Sequence, residues 1–191
     1  MERDKEQDSN KHKEFIDDLI KEKPLTRSFQ KLSRESVEVN VCRHRSASDA
    51  AENNLALLTE ALNTADTDET KKFIQDKINS LSEEVKKLES GRIEGVLTYL
   101  TYRDVNDIKA SVTEAVLHFK DYNFDPDVIM SRIIAEERFM TVFCALKKKD
   151  NPSQRYFRTL DEIALVDELS IFELYDLWER NFVLTDDELK N

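Results

Sequence analysis

Residues 157–189 read FRTLDEIALVDELSIFELYDLWERNFVLTDDEL, and this segment decides the fold class. Helix-start patterns of the form S/T-x-x-E begin at Thr159, Ser170 and Thr185. In such a pattern the hydroxyl accepts a hydrogen bond from the third helical amide, and the glutamate reaches back to the cap amide. Apolar and aromatic residues recur between the caps at helical spacing. The segment is therefore predicted to be helical and built for packing.

The composition of the 191-residue chain favours the same class. Charged residues make up 36% and hydrophobic residues 39%, as expected for helices with solvated outer faces. Two glycines and three prolines leave little material for the turns of a sandwich or barrel. We predict a mainly α (α+β) protein: a helical bundle-like domain with a small N-terminal β-hairpin or three-stranded sheet and a disordered N-terminal arm.

The N-terminal part is predicted to combine an arm, a hairpin and a strand. Residues 1–13 are almost wholly charged or polar and read as a disordered arm, and residues 15–20 as a short amphipathic helix. Alternation at period two in residues 28–32 and 37–41 predicts a β-hairpin. A third strand over residues 96–102 would extend it, although a helix also fits that spacing.

Two helices are predicted between the hairpin and the third strand. The first begins after a cap at Ser48 and is broken at residues 63–67. The second carries a heptad seam that Ser90 and Gly91 close. The seam residues are Ile74, Ile78, Leu81, Val85 and Leu88. Two heptads are marginal alone, so this helix should pack on another part of the chain or on a copy of itself, as in a homo-oligomer.

The C-terminal half is predicted to hold the core. Asp104 is expected to cap a helix through Phe119, and Asp125 with Pro126 to start a longer helix through about Lys148. The longer helix is apolar on more than half of its circumference, so we expect it at the centre of the core. The lysines at its end would suit the C-terminal end of the helix dipole.

Three regions follow from these elements. Residues 1–24 form the arm and its short helix, residues 25–103 the hairpin and helices including the heptad helix, and residues 104–191 the helical core and acidic C-terminal helices. Residues 25–191 are expected to fold as one unit. The first residues contain no hydrophobic signal region, and no apolar run approaches the roughly 20 residues that cross a bilayer. We therefore expect a cytoplasmic protein.

Charge is concentrated at the C-terminal end. Of the formal net charge of −11, residues 159–191 carry ten acids against two bases. This surface is unfavourable for nucleic acid and for anionic membranes, so partners with basic or apolar helical surfaces are expected. Six basic residues gather near the hairpin and would complement the acidic block within the chain or between subunits. They are Arg27, Lys31, Arg34, Arg43, His44 and Arg45.

No metal site follows from the spacing of candidate ligands. Residues 121–127 place oxygen atoms at alternate positions, as the first half of a calcium-binding EF-hand loop does. Pro126 stands where that loop needs glycine and Arg132 where it needs glutamate, and helix capping by Asp125 explains the run more simply. The three histidines lack zinc-ligand spacing with one another or with the cysteines. We predict no metal and no cofactor.

Catalytic patterns are also missing from the sequence. Cys42 lies among cations that can lower a thiol pKa, but a strand-end cysteine beside solvated arginines is the simpler interpretation. Cys42 and Cys144 are isolated, which suits a reducing compartment, and the sequence leaves open whether they approach each other. Adjacent carboxylates point in different directions on a helix, and no phosphate-binding loop or nucleophile motif occurs. We predict that the protein is not an enzyme.

One helix face is the candidate partner-binding site. Tyr175, Trp178 and Phe182 share a side of a predicted helix and can form an aromatic anchor for a partner. The alternative is plain core packing. The full set of predicted partner-binding residues is Ile171, Leu174, Tyr175, Trp178 and Phe182.

The layout resembles a known family. The segments TRSFQKLSRESVEVNVCRHRSASDAAE, YLTYRDVNDI and FRTLDEIALVDELSIFELYDLWERNF follow in the order of a β-rich part, a strand-to-helix junction and terminal helices. Over residues 25–182 this resembles the tail assembly chaperones of long-tailed bacteriophages, which are small, acidic and mainly helical. The resemblance implies a non-enzymatic factor that coats the helical tape-measure protein, recruits tail-tube subunits and leaves the finished particle. No residue roles carry over, because no position matches a defined family site.

Two other functions are compatible with the same sequence. A structural subunit of a large assembly, such as a phage connector or baseplate component, would make permanent contacts through the heptad helix and the arm. A small helical regulatory protein would bind one globular target.

Overall fold

The structure, a computed structural model, describes residues 36–119 and 125–183. In chain order its elements are β1 (Val37–Cys42), α1 (Arg45–Thr64), α2 (Asp68–Ser90), β2 (Arg92–Leu97), α3 (Tyr102–Phe119), α4 (Pro126–Ala145), β3 (Leu146–Lys148), α5 (Leu160–Ala164) and α6 (Glu168–Phe182). Within these residues, six helices and one small antiparallel sheet confirm the predicted mainly α class. The arm and the helix of residues 15–20 lie outside the described ranges.

The sheet has the order β1-β2-β3, with both pairs antiparallel. The predicted alternation of β1 is confirmed, because Val39 and Val41 are buried while Glu38 and Asn40 are exposed. Strand β1 pairs with β2, and Val39 lies opposite Gly95. The hairpin partner predicted at residues 28–32 lies outside the described residues.

The predicted third strand exists but is displaced toward the N-terminus. It ends at Leu97, so the expected extension to residue 102 is wrong. After β2, the Thr98 amide donates to the Ala145 carbonyl at 3.0 Å, and the chain then continues to α3. Thr101 and Asp104 then form the reciprocal cap of α3, in which each side chain accepts from the other's amide. The predicted cap at Asp104 is therefore corrected to Thr101.

Helices α1 and α2 form an antiparallel helical hairpin, called the hairpin below. The heptad helix is confirmed: the Thr67 hydroxyl accepts from the Thr70 amide at its start, and Gly91 follows its end. Its seam packs along α1, the preceding helix. Helix α1 begins at Arg45, so the predicted cap at Ser48 is wrong. Ser48 is instead buried within the first turn.

Helix α4 is central to the core, as predicted. Asp125 accepts from the Asp127 amide and Pro126 opens the helix, which confirms the predicted cap. Every residue from Met140 to Ala145 is buried. The expected extension to Lys148 is wrong, because the backbone from Leu146 onward pairs with β2 as strand β3. Lys147 and Lys148 thus belong to a strand, Lys149 follows it, and none of the three caps a helix.

The three helix starts predicted in residues 157–189 differ in how they compare with the structure. The Thr159 hydroxyl accepts from the Glu162 amide at the start of α5, as predicted. The Glu162 carboxylate accepts from the Arg158 amide and not from the Thr159 amide that the pattern predicts. The helix start predicted at Ser170 is wrong, because Asp167 caps α6 and Ser170 is buried inside the helix. The pattern at Thr185 lies outside the described residues.

One core joins the sheet to α3, α4, α5 and α6, and we call this assembly the body. It extends from Val39 to Val183 and includes the fully buried Ile108, Ile129 and Phe182. Among the described residues, no helix is both long enough and apolar enough to cross a membrane.

Candidate partner-binding groove

Helix α6 packs into the core of the body. Leu174 and Phe182 are completely buried, and Ile171 and Trp178 nearly so. The Trp178 indole donates from Nε1 to the Thr98 carbonyl at 3.1 Å, which satisfies its polar atom inside the core. Four of the five predicted partner-binding side chains therefore hold α6 in place, as the core-packing alternative describes. Their contact with a partner stays a prediction.

Tyr175, the fifth predicted residue, is partly exposed and belongs to an aromatic wall. The Arg138 guanidinium of α4 lies 4.8 Å from the centre of the Phe172 ring and 5.4 Å from that of Tyr175. A guanidinium over two aromatic faces attracts both rings and limits their motion. This contact fixes the spacing between α4 and α6 on the outer side of the body.

An apolar groove of about 460 Å³ lies between α4, α5 and α6. We call it the α4–α6 groove. Its apolar lining residues are Ala135, Phe139, Leu160, Ala164, Val166, Ile171 and Phe172. Ile171 is thus the one predicted partner-binding residue that lines it.

Three exposed leucines line the groove or neighbour its lining residues in the sequence. Leu160 is 45% exposed, and Leu165 and Leu169, sequence neighbours of lining residues, are also exposed. Charged residues at the groove are Arg132, Glu136, Asp161 and Glu168, three acids and one base. A concave apolar surface of this size with an acidic rim can accept apolar side chains that are flanked by cations.

Sequence reasoning missed most of this lining. The α4 side of the groove uses Arg132, Ala135, Glu136 and Phe139, which follow helical spacing i, i+3, i+4, i+7. Two of these four are charged, so the stripe reads as a solvated face. The signal that could have found it is the spacing itself together with the exposed leucines of the α5 segment.

Asp167 links the start of α6 to the start of α1 by hydrogen bonds. Its carboxylate accepts from the Leu169 amide at 2.9 Å, and from the amide and hydroxyl of Ser46 at 3.2 and 2.7 Å. It therefore caps α6 and also α1, whose own cap residue His44 provides no side-chain bond. One carboxylate serves two helix N-termini.

The basic cluster near β1 faces the acidic segment within the same chain. Arg45 lies 3.8 Å from the Glu173 carboxylate, and Arg43 donates to the Glu162 carbonyl at 3.4 Å. These contacts agree with the intramolecular alternative for Arg43 and Arg45. Arg27, Lys31 and Arg34 lie outside the described residues.

A second polar cluster joins Arg155 to two carboxylates of α3. Arg155 donates to the Asp104 and Asp107 carboxylates at 3.0 and 3.1 Å. Burial opposes ionisation of Asp104, but hydrogen bonds from Thr101 and the nearby Lys147 and Arg155 outweigh it, so its pKa lies below its ordinary value. The pKa of Lys147 is lowered, mainly by burial.

This cluster has the geometry of a structural ion pair. Asp104, Asp107 and Cys144 bring one potential metal ligand each within 4.8 Å of one another. Burial raises the pKa of the Cys144 thiol to about 12, so it stays protonated and is a poor ligand. The Arg155 guanidinium and the nearby Lys147 ammonium bring two positive charges to the two carboxylates, which weakens the electrostatic reason for a further cation there.

The remaining candidate residues are placed as follows. Cys42 ends β1, and both it and Cys144 are buried free thiols. The calcium-like run falls largely in residues 120–124, outside the described ranges.

Comparisons with protein-family models, with curated proteins and with solved structures found no significant match to this chain.

Proposed function

We propose that this protein is a non-enzymatic assembly factor that binds an amphipathic helix of a partner protein in the α4–α6 groove. The observation that carries the proposal is the groove of about 460 Å³, whose apolar lining includes the exposed Leu160. An exposed apolar side chain at a concave apolar site is typical of protein-binding surfaces.

The charge around the groove defines the partner. Three of the four charged lining residues are acidic, and the segment from residue 159 onward is strongly acidic as well. A helix with an apolar stripe bordered by lysine or arginine would be attracted to this rim, whereas an acidic helix would be repelled. The preferred occupant is therefore a basic amphipathic helix.

The rigid setting of the groove supports a binding role. Arg138 stacks on Phe172 and Tyr175, and Asp167 caps α6, so the two long walls are fixed before a partner arrives. A preformed groove loses little conformational entropy on binding. No partner-induced rearrangement of α4 or α6 is needed.

The specific form of the proposal follows from the resemblance to tail assembly chaperones. The partner helix would belong to a tape-measure protein, whose apolar helical stripes need cover until tube subunits assemble around them. The acidic charge of the chain would keep that complex soluble. The protein would then be absent from finished particles and would act in the host cytoplasm.

The test is affinity capture from the native source with a tagged chain, followed by mass spectrometry. Three baits are compared: the wild type, Leu160→Asp at the groove, and Val128→Asp as a control. Val128 is 53% exposed at the start of α4 and does not line the groove, so its substitution adds the same charge on a similar apolar surface. The captured partner is then tiled as peptides and titrated against each bait.

The proposal predicts that the wild type and Val128→Asp capture the same helical protein. The Leu160→Asp bait should bind the mapped peptide at least ~10-fold more weakly, which corresponds to one lost apolar anchor. Recovery of a long helical protein with tube subunits supports the chaperone form. Equal binding by all three baits would remove the groove from the function, and capture of a connector or baseplate assembly would make the protein a structural subunit.

A further inference from the structure

The helical hairpin of α1 and α2 leaves apolar side chains exposed to solvent. Ile74 is buried, but the other seam residues of α2 and the leucines of α1 that face them are only partly buried. Leu57 and Phe73 are each 64% exposed. A seam that only one helix covers leaves apolar area in water, so a second protein layer on the hairpin would be stabilising.

The exposed residues lie on one side of the hairpin. Leu57 immediately precedes Leu58, one of the α1 leucines that face the seam, and Phe73 immediately precedes the seam residue Ile74. On antiparallel helices, positions that precede these seam residues project to the same side of the pair. We call this side the open face, and all of its defining residues are exposed. They are Ala47, Ala50, Asn54, Leu57, Phe73, Lys77, Ser80, Glu84 and Lys87.

The open face is the less charged side of the hairpin. Helix α1 contributes only uncharged residues to it, and α2 contributes Lys77, Glu84 and Lys87. The opposite side carries more charge, including Asp49, Glu52, Lys72 and Lys86. For a chain with a net charge of −11, the open face is where two copies can approach with little repulsion.

We infer that the open face binds the open face of a second copy in antiparallel orientation, which completes a four-helix bundle. A two-fold axis between Ser80 and Leu81 places Lys77 opposite Glu84 of the second copy, and the same pair recurs by symmetry. The small Ser80 at the axis allows the two α2 helices to approach closely.

The distribution of side-chain size fits the same orientation. Leu57 and Phe73 lie near the tip of the hairpin, whose turn is at residues 65–67, whereas Ala47 and Ala50 lie near its base. An antiparallel copy sets Leu57 of one α1 against the alanines of the other α1, and it sets Phe73 at the level of Leu88 on the other α2, beside the long side chain of Lys87. The size pattern on α1 and the charge pattern on α2 are therefore both compatible with this orientation.

The available area is sufficient for a specific dimer. A 20-residue helix is ~30 Å long and two packed helices are ~20 Å wide, so the face covers ~600 Å² on each copy. Two copies bury ~1,200 Å², which is at the lower limit of stable specific interfaces. A reversible dimer follows from this estimate.

The test is the mass of the full chain by sedimentation over a range of concentrations. We expect a species of twice the 22.4 kDa chain mass at high concentration. Phe73→Glu should raise the dissociation constant ~30-fold or more, because two apolar anchors are lost by symmetry. Asn79→Glu, an equal charge change on the opposite side of α2, is the matched control and should leave the dimer intact.

Charge exchange and crosslinking test the orientation. Lys77→Glu should weaken the dimer about fivefold, and the double exchange Lys77→Glu with Glu84→Lys should restore it. Ser80→Cys should crosslink between copies with a short bis-maleimide, whereas Asn79→Cys, on the opposite side of α2, should not. Cys42 and Cys144 are buried, so little background reaction is expected from them. A chain that is monomeric at all concentrations, or a dimer that Phe73→Glu leaves unchanged, would overturn the inference. The groove proposal is independent of either result.

Discussion

The body and the hairpin use the same helical periodicity but bury it to different depths. In α3 of the body, Ile108, Val112 and Val116 are almost fully inaccessible. In α2 of the hairpin, Leu81 and Val85 occupy equally regular positions and are only partly buried. The body has sheet and helices on several sides of each core helix, whereas each hairpin helix has mainly one neighbour. Periodicity decides which side of a helix is apolar, and the number of packed layers decides how far that side is buried.

The largest difference between the two regions should appear in large-to-small substitutions. Phe182→Ala empties a completely buried site in the body and should lower the free energy of unfolding by ~4 kcal/mol. Leu81→Ala in the half-buried seam should cost ~1 kcal/mol. Urea unfolding measures both, in the Phe73→Glu background so that association does not contribute. Equal losses would break the distinction between body and hairpin.

The buried ion pair tests the polar side of the body. Asp104→Asn removes the negative charge from the most buried partner of Arg155 and should cost ~3 kcal/mol at pH 7. The pKa of Asp104 is lowered in the folded protein, so its stabilisation is present above the unfolded value of ~3.9 and is lost as the pH falls through the folded pKa. The difference between wild type and variant should therefore shrink below pH ~4. Asp107→Asn, at a more exposed acceptor, should have a smaller effect, and an equal one would contradict the role of burial.

The two glycines give a matched pair at the centre of the sheet and at the end of the hairpin. A Cβ on Gly95 would lie 2.8 Å from the Lys147 carbonyl oxygen and 3.3 Å from the Tyr156 ring, so Gly95→Ala should cost ~2 kcal/mol. A Cβ on Gly91 meets its nearest atom, the Leu88 carbonyl oxygen, at 3.4 Å. Gly91→Ala should therefore be nearly neutral in thermal unfolding. A loss at Gly91 as large as that at Gly95 would show that space at the sheet is not the cause.

A modest effect is expected at Asp167, which connects the hairpin to the body. Asp167→Ala removes the acceptor shared by α1 and α6 and should cost ~1 kcal/mol. Hydrogen exchange should accelerate in the first turns of both helices. Asp125→Ala removes the cap of α4 alone and should leave exchange at the base of the hairpin unchanged. Faster exchange in α6 without any change in α1 would mean that Asp167 does not hold the hairpin.

Local patterns were sufficient to predict most elements. The Ile74–Leu88 seam, the glycine that ends α2, the alternation of Val39 and Val41, and the cap at Asp125 all occur as expected. Each depends on residues within one or two turns of the position concerned. The helical class follows from the same local information together with the scarcity of glycine and proline.

The errors arise where distant residues decide the outcome. Ser170 has the pattern of a cap, but the competing Asp167 starts α6 three residues earlier, and the Ser170 hydroxyl accepts from the Arg45 amide instead. Lys147 and Lys148 leave the helical path because β2 offers a backbone partner. Of the groove lining, only Ile171 was among the predicted partner-binding residues, for a similar reason: the walls come from three helices, and charged residues interrupt the apolar stripe on α4.

Hydrogen–deuterium exchange of the chain with and without its captured partner is the decisive test of the α4–α6 groove. Protection is expected in residues 132–139 and 160–172, which contribute the groove lining, with little change on the hairpin. Protection confined to the hairpin, with the groove unaffected, would contradict the proposed site and assign partner binding to the hairpin.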